Sequence, residues 1–167
     1  MWLADGDTGY GNAINVQRTI RAYGLTGAAA VLIEDKAWPR PLGHKGAKLV
    51  IERDEARLRC RAAVEACKEA GILLLARTDA RPSRGFDEAR RRIEDFVKEG
   101  ADIFFLDSPQ DEAEIKGSLE AGGGAPMIAV NAPAAKHFMP PDPVLEKLGM
   151  KIVIYPQEML AANVLAM

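Results

Sequence analysis

The chain has 167 residues, 48% of them hydrophobic and 28% charged, and a formal net charge of −2. That composition suits one soluble domain, 1–167, with room for a real core, and offers no electrostatic attraction to nucleic acid or to an anionic membrane. No apolar run approaches the length of a membrane span, and no basic region followed by an apolar one marks a signal peptide, so a cytoplasmic location is expected.

The first predicted strand is Trp2–Asp5, and it runs into Ala4-Asp5-Gly6-Asp7-Thr8-Gly9-Tyr10-Gly11. Two carboxylates one residue apart on a strand end face the same way, because strand side chains alternate with period two. Asp5 and Asp7 could therefore share one hard cation, with glycines allowing a sharp backbone turn beside it. Asp and Gly are also ordinary turn residues, so the motif gains weight only because later strands end in a similar way.

Ala13, Val16, Ile20 and Tyr23 then repeat at helical spacing, and a second strand is expected at Ala29–Glu34. Lys36 to Lys48 is the longest irregular stretch. It holds Pro39, Pro41 and Gly43 and follows a strand ending in two acids, a common placement for a lid. Ala56, Cys60, Ala63 and Cys67 mark the next helix. The two cysteines share its face about 10 Å apart, too far for a disulfide, and read as buried thiols in a reducing compartment. A strand at Ile72–Arg77 precedes a helix at Phe86–Lys98 that Gly100 is placed to stop. A strand at Asp102–Asp107, a short helix at Asp111–Glu120 and a flexible Gly122–Gly124 connector follow. Met127–Asn131 and Lys151–Tyr155 are the last two strands, with a helix at Pro143–Leu148 between them and another after Pro156. Strands apolar throughout and alternating with helices indicate an α/β fold with a parallel sheet, closed either as an open doubly wound sheet or as a (β/α) barrel.

Polar residues gather at the carboxyl ends of all six strands: Asp5 and Asp7, Glu34-Asp35, Arg77-Thr78-Asp79, Asp107, Asn131 and Tyr155. Ligands bind at that end of parallel α/β folds. Asp5, Asp7 and Glu34 offer oxygen ligands only, which favours Mg²⁺ or Mn²⁺ over zinc. Arg77 offers a planar fork for a carboxylate or phosphate. Metal and arginine together suit a small anionic oxoacid. His44 sits in the expected lid, where it would polarise or protonate substrate or else simply be solvated; His137 reads as structural or exposed.

These residues resemble the isocitrate lyase/phosphoenolpyruvate mutase superfamily. The matching motifs are Asp5 through Gly11, Ile33-Glu34-Asp35-Lys36, Gly43-His44 with Lys48 following, Ala76-Arg77-Thr78-Asp79-Ala80, Gly100-Ala101-Asp102 and Tyr155-Pro156, in family order over nearly the whole chain. The resemblance implies a (β/α)₈ barrel, here a partial TIM barrel of about six β-α units, with the first two units and the C-terminal helices of the family outside this sequence. It implies Mg²⁺, with Mn²⁺ as substitute, held by Asp5 and Asp7 with Glu34 in support. It also implies a small 2-oxo or 2-hydroxy acid bound by Arg77, Tyr10, Gly11, Gly43, Asp107 and Asn131. Glu34, Arg77 and His44 are the expected catalytic residues, and the intact family form is expected to be a homo-oligomer.

One departure concerns chemistry. Family lyases carry a cysteine acid/base directly before the Gly-His pair, where this chain has Leu42. Leucine cannot carry a proton. Loss of CO₂ generates an enolate without a base at that position, which makes oxaloacetate-like decarboxylation attractive beside methylisocitrate-like cleavage. A P–C bond mutase fits less well, because the loop lacks the Asn-Ser type expected of one. The expected function is thus a Mg-dependent carbon–carbon lyase or decarboxylase; the alternative is a non-catalytic barrel fragment that acts through self-association or a partner.

Overall fold

A computed structural model of the chain describes residues 1–39, 49–131 and 138–166. The expected lid residues Leu42, Gly43, His44, Lys45 and Lys48 lie outside that set, as does His137.

Six parallel strands form the frame: β1 (Leu3–Asp5), β2 (Ala30–Glu34), β3 (Leu73–Thr78), β4 (Ile103–Leu106), β5 (Ile128–Val130) and β6 (Ile152–Ile154). The first four pair in sequence order, as do β5 and β6. A parallel bridge between Phe104 and Met127, with the Phe104 N–H donating to the Pro126 carbonyl at 3.1 Å, joins the two groups. Between the strands run α1 (Ala13–Leu25), α2 (Arg53–Ala70), a short α3 (Arg81–Arg84), α4 (Phe86–Glu99), α5 (Glu112–Ala121) and α6 (Asp142–Leu148), with α7 (Glu158–Ala166) last. Each strand lies within two residues of its expected range. The single turn α3 lies outside the expected helices; Pro82 sits in its first turn, where its missing N–H costs nothing.

The ends follow local chemistry. Asn12 caps α1, accepting from the Ile14 and Asn15 N–H groups while Asn15 caps it in return. Gly100 stops α4 in a left-handed conformation, as the sequence predicts, and Gly71 does the same for α2.

The two strand faces bury different things. Ala4, Val31, Ile33, Leu74 and Ala76 pack outward on Val16, Ile20, Ala56, Cys60, Ala63 and Cys67 of α1 and α2. Phe104, Met127 and Ala129 do likewise with Ile93 and Ile115 on α4 and α5. The opposite, inner face carries Leu32, Leu75, Ile103, Phe105 and Ile128. Strands covered on both faces explain the continuous apolar runs. In register above the inner apolar layer stand Glu34 and Arg77, each at the carboxyl end of its strand.

Candidate active site

The polar strand ends meet on one rim. Arg77 is its centre. Its Nε donates to Asp79 Oδ2 at 2.7 Å, and one terminal nitrogen donates to Asp79 Oδ1 and to Asp107 Oδ1, both at 2.8 Å. Glu34 Oε2 lies 3.4 Å from the same Nε. The guanidinium rests 5.0 Å above the ring centre of Phe105, an apolar floor that also attracts a cation. Burial works against the charge of Arg77, but Asp79, Asp107 and Glu34 overcome it, and its pKa is raised.

Glu34 is buried at the end of β2. Lys36 donates to its carboxylate at 2.9 Å and approaches Asp79 at 3.7 Å. Burial, followed by the negative charge of Asp79, pushes the Glu34 carboxyl up to about 7 against the pull of Arg77 and Lys36; a hydrogen bond with the Asp7 side chain adds to the rise. The structure thus brings Glu34, Arg77 and Asp107 together and sets Asp7 beside Glu34.

Asp5 and Asp7 do not present themselves as period-two neighbours. β1 ends at Asp5, and Asp7 has a φ of 51°, outside extended backbone, so strand alternation no longer governs it. Its N–H donates to Asp5 Oδ1 at 2.9 Å, and its carbonyl accepts from the Glu34 N–H at 2.8 Å. Among the described residues no three His, Cys, Asp or Glu side chains converge closely enough to hold a metal, so Asp5, Asp7 and Glu34 are not gathered as a three-carboxylate set. The donor chemistry, oxygen alone, still fits a hard cation that needs only one or two carboxylates and keeps its waters.

The remaining expected residues lie on the flanks. Tyr10 is exposed and meets Trp38 edge-to-face, with Gly11 beside it before the α1 cap. Asn131 takes its backbone bond from β6 through the Ile154 carbonyl, and its side chain meets Tyr155, which donates to Asp142.

Sequence reasoning missed Asp79 as the clamp on Arg77, and it missed the support behind that clamp. Asp35, fully buried, accepts from the Thr78 hydroxyl at 2.7 Å, the Asp79 N–H at 2.9 Å and Arg92 at 3.1 Å. Arg92 reads as part of a charged Arg90-Arg91-Arg92 run. Its position gave a usable signal, because it falls on the helical stripe of Ala89, Ile93 and Phe96 that faces the core.

A parallel strand wall with its charged groups at the carboxyl rim and an apolar inner layer below defines a partial (β/α)₈ barrel with a charged mouth. The chain belongs to the phosphoenolpyruvate phosphomutase family, whose pattern matches residues 2–167, within the phosphoenolpyruvate mutase/isocitrate lyase superfamily. It is 37% identical over 154 residues to 2,3-dimethylmalate lyase of Eubacterium barkeri, covering 92% of this chain and 53% of that one. To oxaloacetate decarboxylase of Paraburkholderia xenovorans it is 40% identical over 133 residues, 80% of this chain and 44% of that one. Among solved structures, oxaloacetate acetylhydrolase in complex with the inhibitor 3,3-difluorooxalacetate matches with a TM-score of 0.90 at 31% identity, over 98% of this chain and 56% of that one. Phosphonopyruvate hydrolase, solved with oxalate and Mg²⁺, matches with a TM-score of 0.79 at 29% identity, over 98% of this chain and 56% of that one. The chain thus spans about half the length of the curated relatives it matches. No helix among the described residues is long and apolar enough to cross a membrane.

Proposed function

We propose that this chain carries the oxoacid-binding site of a Mg²⁺-dependent carbon–carbon lyase or decarboxylase for a small 2-oxo or 2-hydroxy dicarboxylic acid. The observation that carries the reading is Arg77: a planar cation held on an apolar floor at the rim of a parallel barrel wall, with Glu34 and Asp107 beside it. A substrate carboxylate would meet the guanidinium at its second terminal nitrogen, because Asp79 and Asp107 engage the other two nitrogens in a planar geometry that lysine cannot reproduce. Asp5 and Asp7, with Glu34 in support, are the residues that would hold the cation, which when bound supplies Lewis-acid stabilisation of negative charge developing on a substrate oxygen. Asp79 and Lys36 fix the orientation of Arg77 and Glu34 before substrate arrives, so that little reorganisation remains at the moment of reaction. Tyr10, Gly11, Gly43 and Asn131 are assigned to the substrate rim, and His44 to proton donation and exclusion of water. Leu42 in place of an acid/base directs the choice toward chemistry that starts with loss of CO₂, and the oxaloacetate-directed relatives support that substrate class.

The test is pyruvate release from oxaloacetate, with and without Mg²⁺, using Asp7→Ala as control. Metal-dependent release that Asp7→Ala abolishes is the expected result. A protein with neither release above the metal-only background nor Mg²⁺-dependent thermal stabilisation would instead be the non-catalytic form. At a Mg²⁺ concentration near 100 times Kd, stabilisation should reach about 2.7 kcal/mol.

A further inference from the structure

Behind the rim lies a polar cluster that the proposed chemistry does not touch. Arg92 of α4 is 1% exposed, and all three of its guanidinium nitrogens are engaged. Nε donates to Glu88 at 2.9 Å, one terminal nitrogen to Asp35 at 3.1 Å, and the other to the Ile51 carbonyl at 2.9 Å. Asp35, 3% exposed, accepts with both carboxylate oxygens at the end of β3: Oδ2 from the Thr78 hydroxyl, and Oδ1 from the N–H of Asp79 just past the strand. The Thr78 hydroxyl in turn accepts from the Ala80 N–H at 3.2 Å. Asp35 is also tied by its own main chain, its N–H donating to the Arg77 carbonyl at 3.2 Å and its carbonyl accepting from Ile51 at 3.0 Å.

A buried arginine–aspartate pair is a poor way to gain stability, since desolvation offsets most of its attraction. It is a good way to hold one geometry, because each partner is costly to leave unmatched. Here the geometry held is the backbone from Arg77 to Ala80. That segment ends β3 and points two side chains at each other: Arg77, and the Asp79 carboxylate that grips it through two nitrogens.

We propose that Arg92 and Asp35, through Thr78 and the Asp79 peptide, are positioning residues for Arg77, setting the plane in which its guanidinium meets a carboxylate. This rests on the reading of Arg77 as the carboxylate-binding group. Asp35 places the Asp79 peptide, Asp79 places the fork, and Arg92 holds Asp35 from the side facing α4. None of the three needs to touch the substrate.

The gentlest probe is Thr78→Val, which keeps the shape and removes the hydroxyl between Asp35 and Ala80; Arg92→Lys keeps the charge and removes the planar fork. The first readout is the Arg77 Nε–H signal in NMR spectra of the ligand-free protein. In the wild type it should exchange slowly with water. In both variants its exchange should quicken by about tenfold or more, while the Arg53 signal, whose partner is Asp95, stays unchanged as an internal reference for folding. Unchanged exchange at Arg77 in folded variants would overturn the proposal. The second readout is oxalate affinity by calorimetry in the presence of Mg²⁺. Thr78→Val should weaken it roughly tenfold, and on an Arg77→Lys background it should add little, because both changes act through one group. Equal and additive losses on the two backgrounds would mean a general structural role and refute positioning. A wild type that binds no oxalate, with Arg77 protected and the variants unprotected, would sustain the positioning role and sink the dicarboxylate reading instead.

Discussion

At Arg77 a single guanidinium is shared by three carboxylates, and their geometries differ. Asp79 takes the fork, Asp107 a terminal nitrogen, and Glu34 stands off at 3.4 Å. A lysine there would keep the charge but lose the planar double contact, so Arg77→Lys should lower kcat/KM for the preferred oxoacid by about 2–3 kcal/mol, mainly through KM. Steady-state kinetics over a substrate series would check this; an unchanged KM would remove Arg77 from the substrate site. The cysteines make a contrasting case. Burial pushes Cys67 up to about 12, with Asp102 adding to the rise, and burial raises Cys60 as well. A raised thiol pKa means less thiolate at any pH below it, and the thiolate is the nucleophile. Both thiols should therefore resist a disulfide reagent at pH 8 in the folded protein and react promptly in denaturant. Prompt reaction without denaturant would show that α2 opens readily.

Helix ends and helix faces carry separate energies. The reciprocal Asn12–Asn15 cap satisfies donors at the start of α1, so Asn12→Ala should cost about 1 kcal/mol in urea unfolding with the slope unchanged. On α2, Arg59 is buried with its Nε and one terminal nitrogen without a partner among the described residues, and its pair to Glu55 engages only the other. Unmet buried donors are costly, so Arg59→Met should be neutral or raise stability by up to about 1 kcal/mol. A loss beyond about 1 kcal/mol in the same unfolding measurement would show that those donors have partners after all. The exposed pairs linking α2 to α4, such as Arg61 with Glu99, contribute little by comparison.

Over the whole molecule, burial is concentrated where helices back the strands and falls away at the last unit. Every described residue of α7 is exposed, including Met159, Leu160 and Leu165, and Ile152 on β6 is 36% exposed. Ending the chain after Gln157 should accordingly change the unfolding free energy in urea by less than about 0.5 kcal/mol, whereas Leu75→Ala, which empties part of the inner apolar layer, should cost about 2–5 kcal/mol. A large loss on removing α7 would mean that it packs in solution against a surface it does not touch here.

The strands and the stop of α4 were legible without the fold, because strands buried on both faces must be apolar throughout and Gly100 supplies the left-handed turn that ends α4. The rim was legible too: Glu34, Arg77 and Asp107 each close an apolar run, and parallel strands put such ends on one side. The orientation of Asp7 was not, since it depends on a positive φ in the turn rather than on strand alternation. Nor was the partnership of Asp35 with Arg92, 57 positions apart in sequence. In one dimension those residues are a strand-end acid and a member of a charged run. Only the packing of α4 against β3 and β4 places them in contact, because a buried charged group needs more partners than its own helix supplies and takes those the fold brings to it.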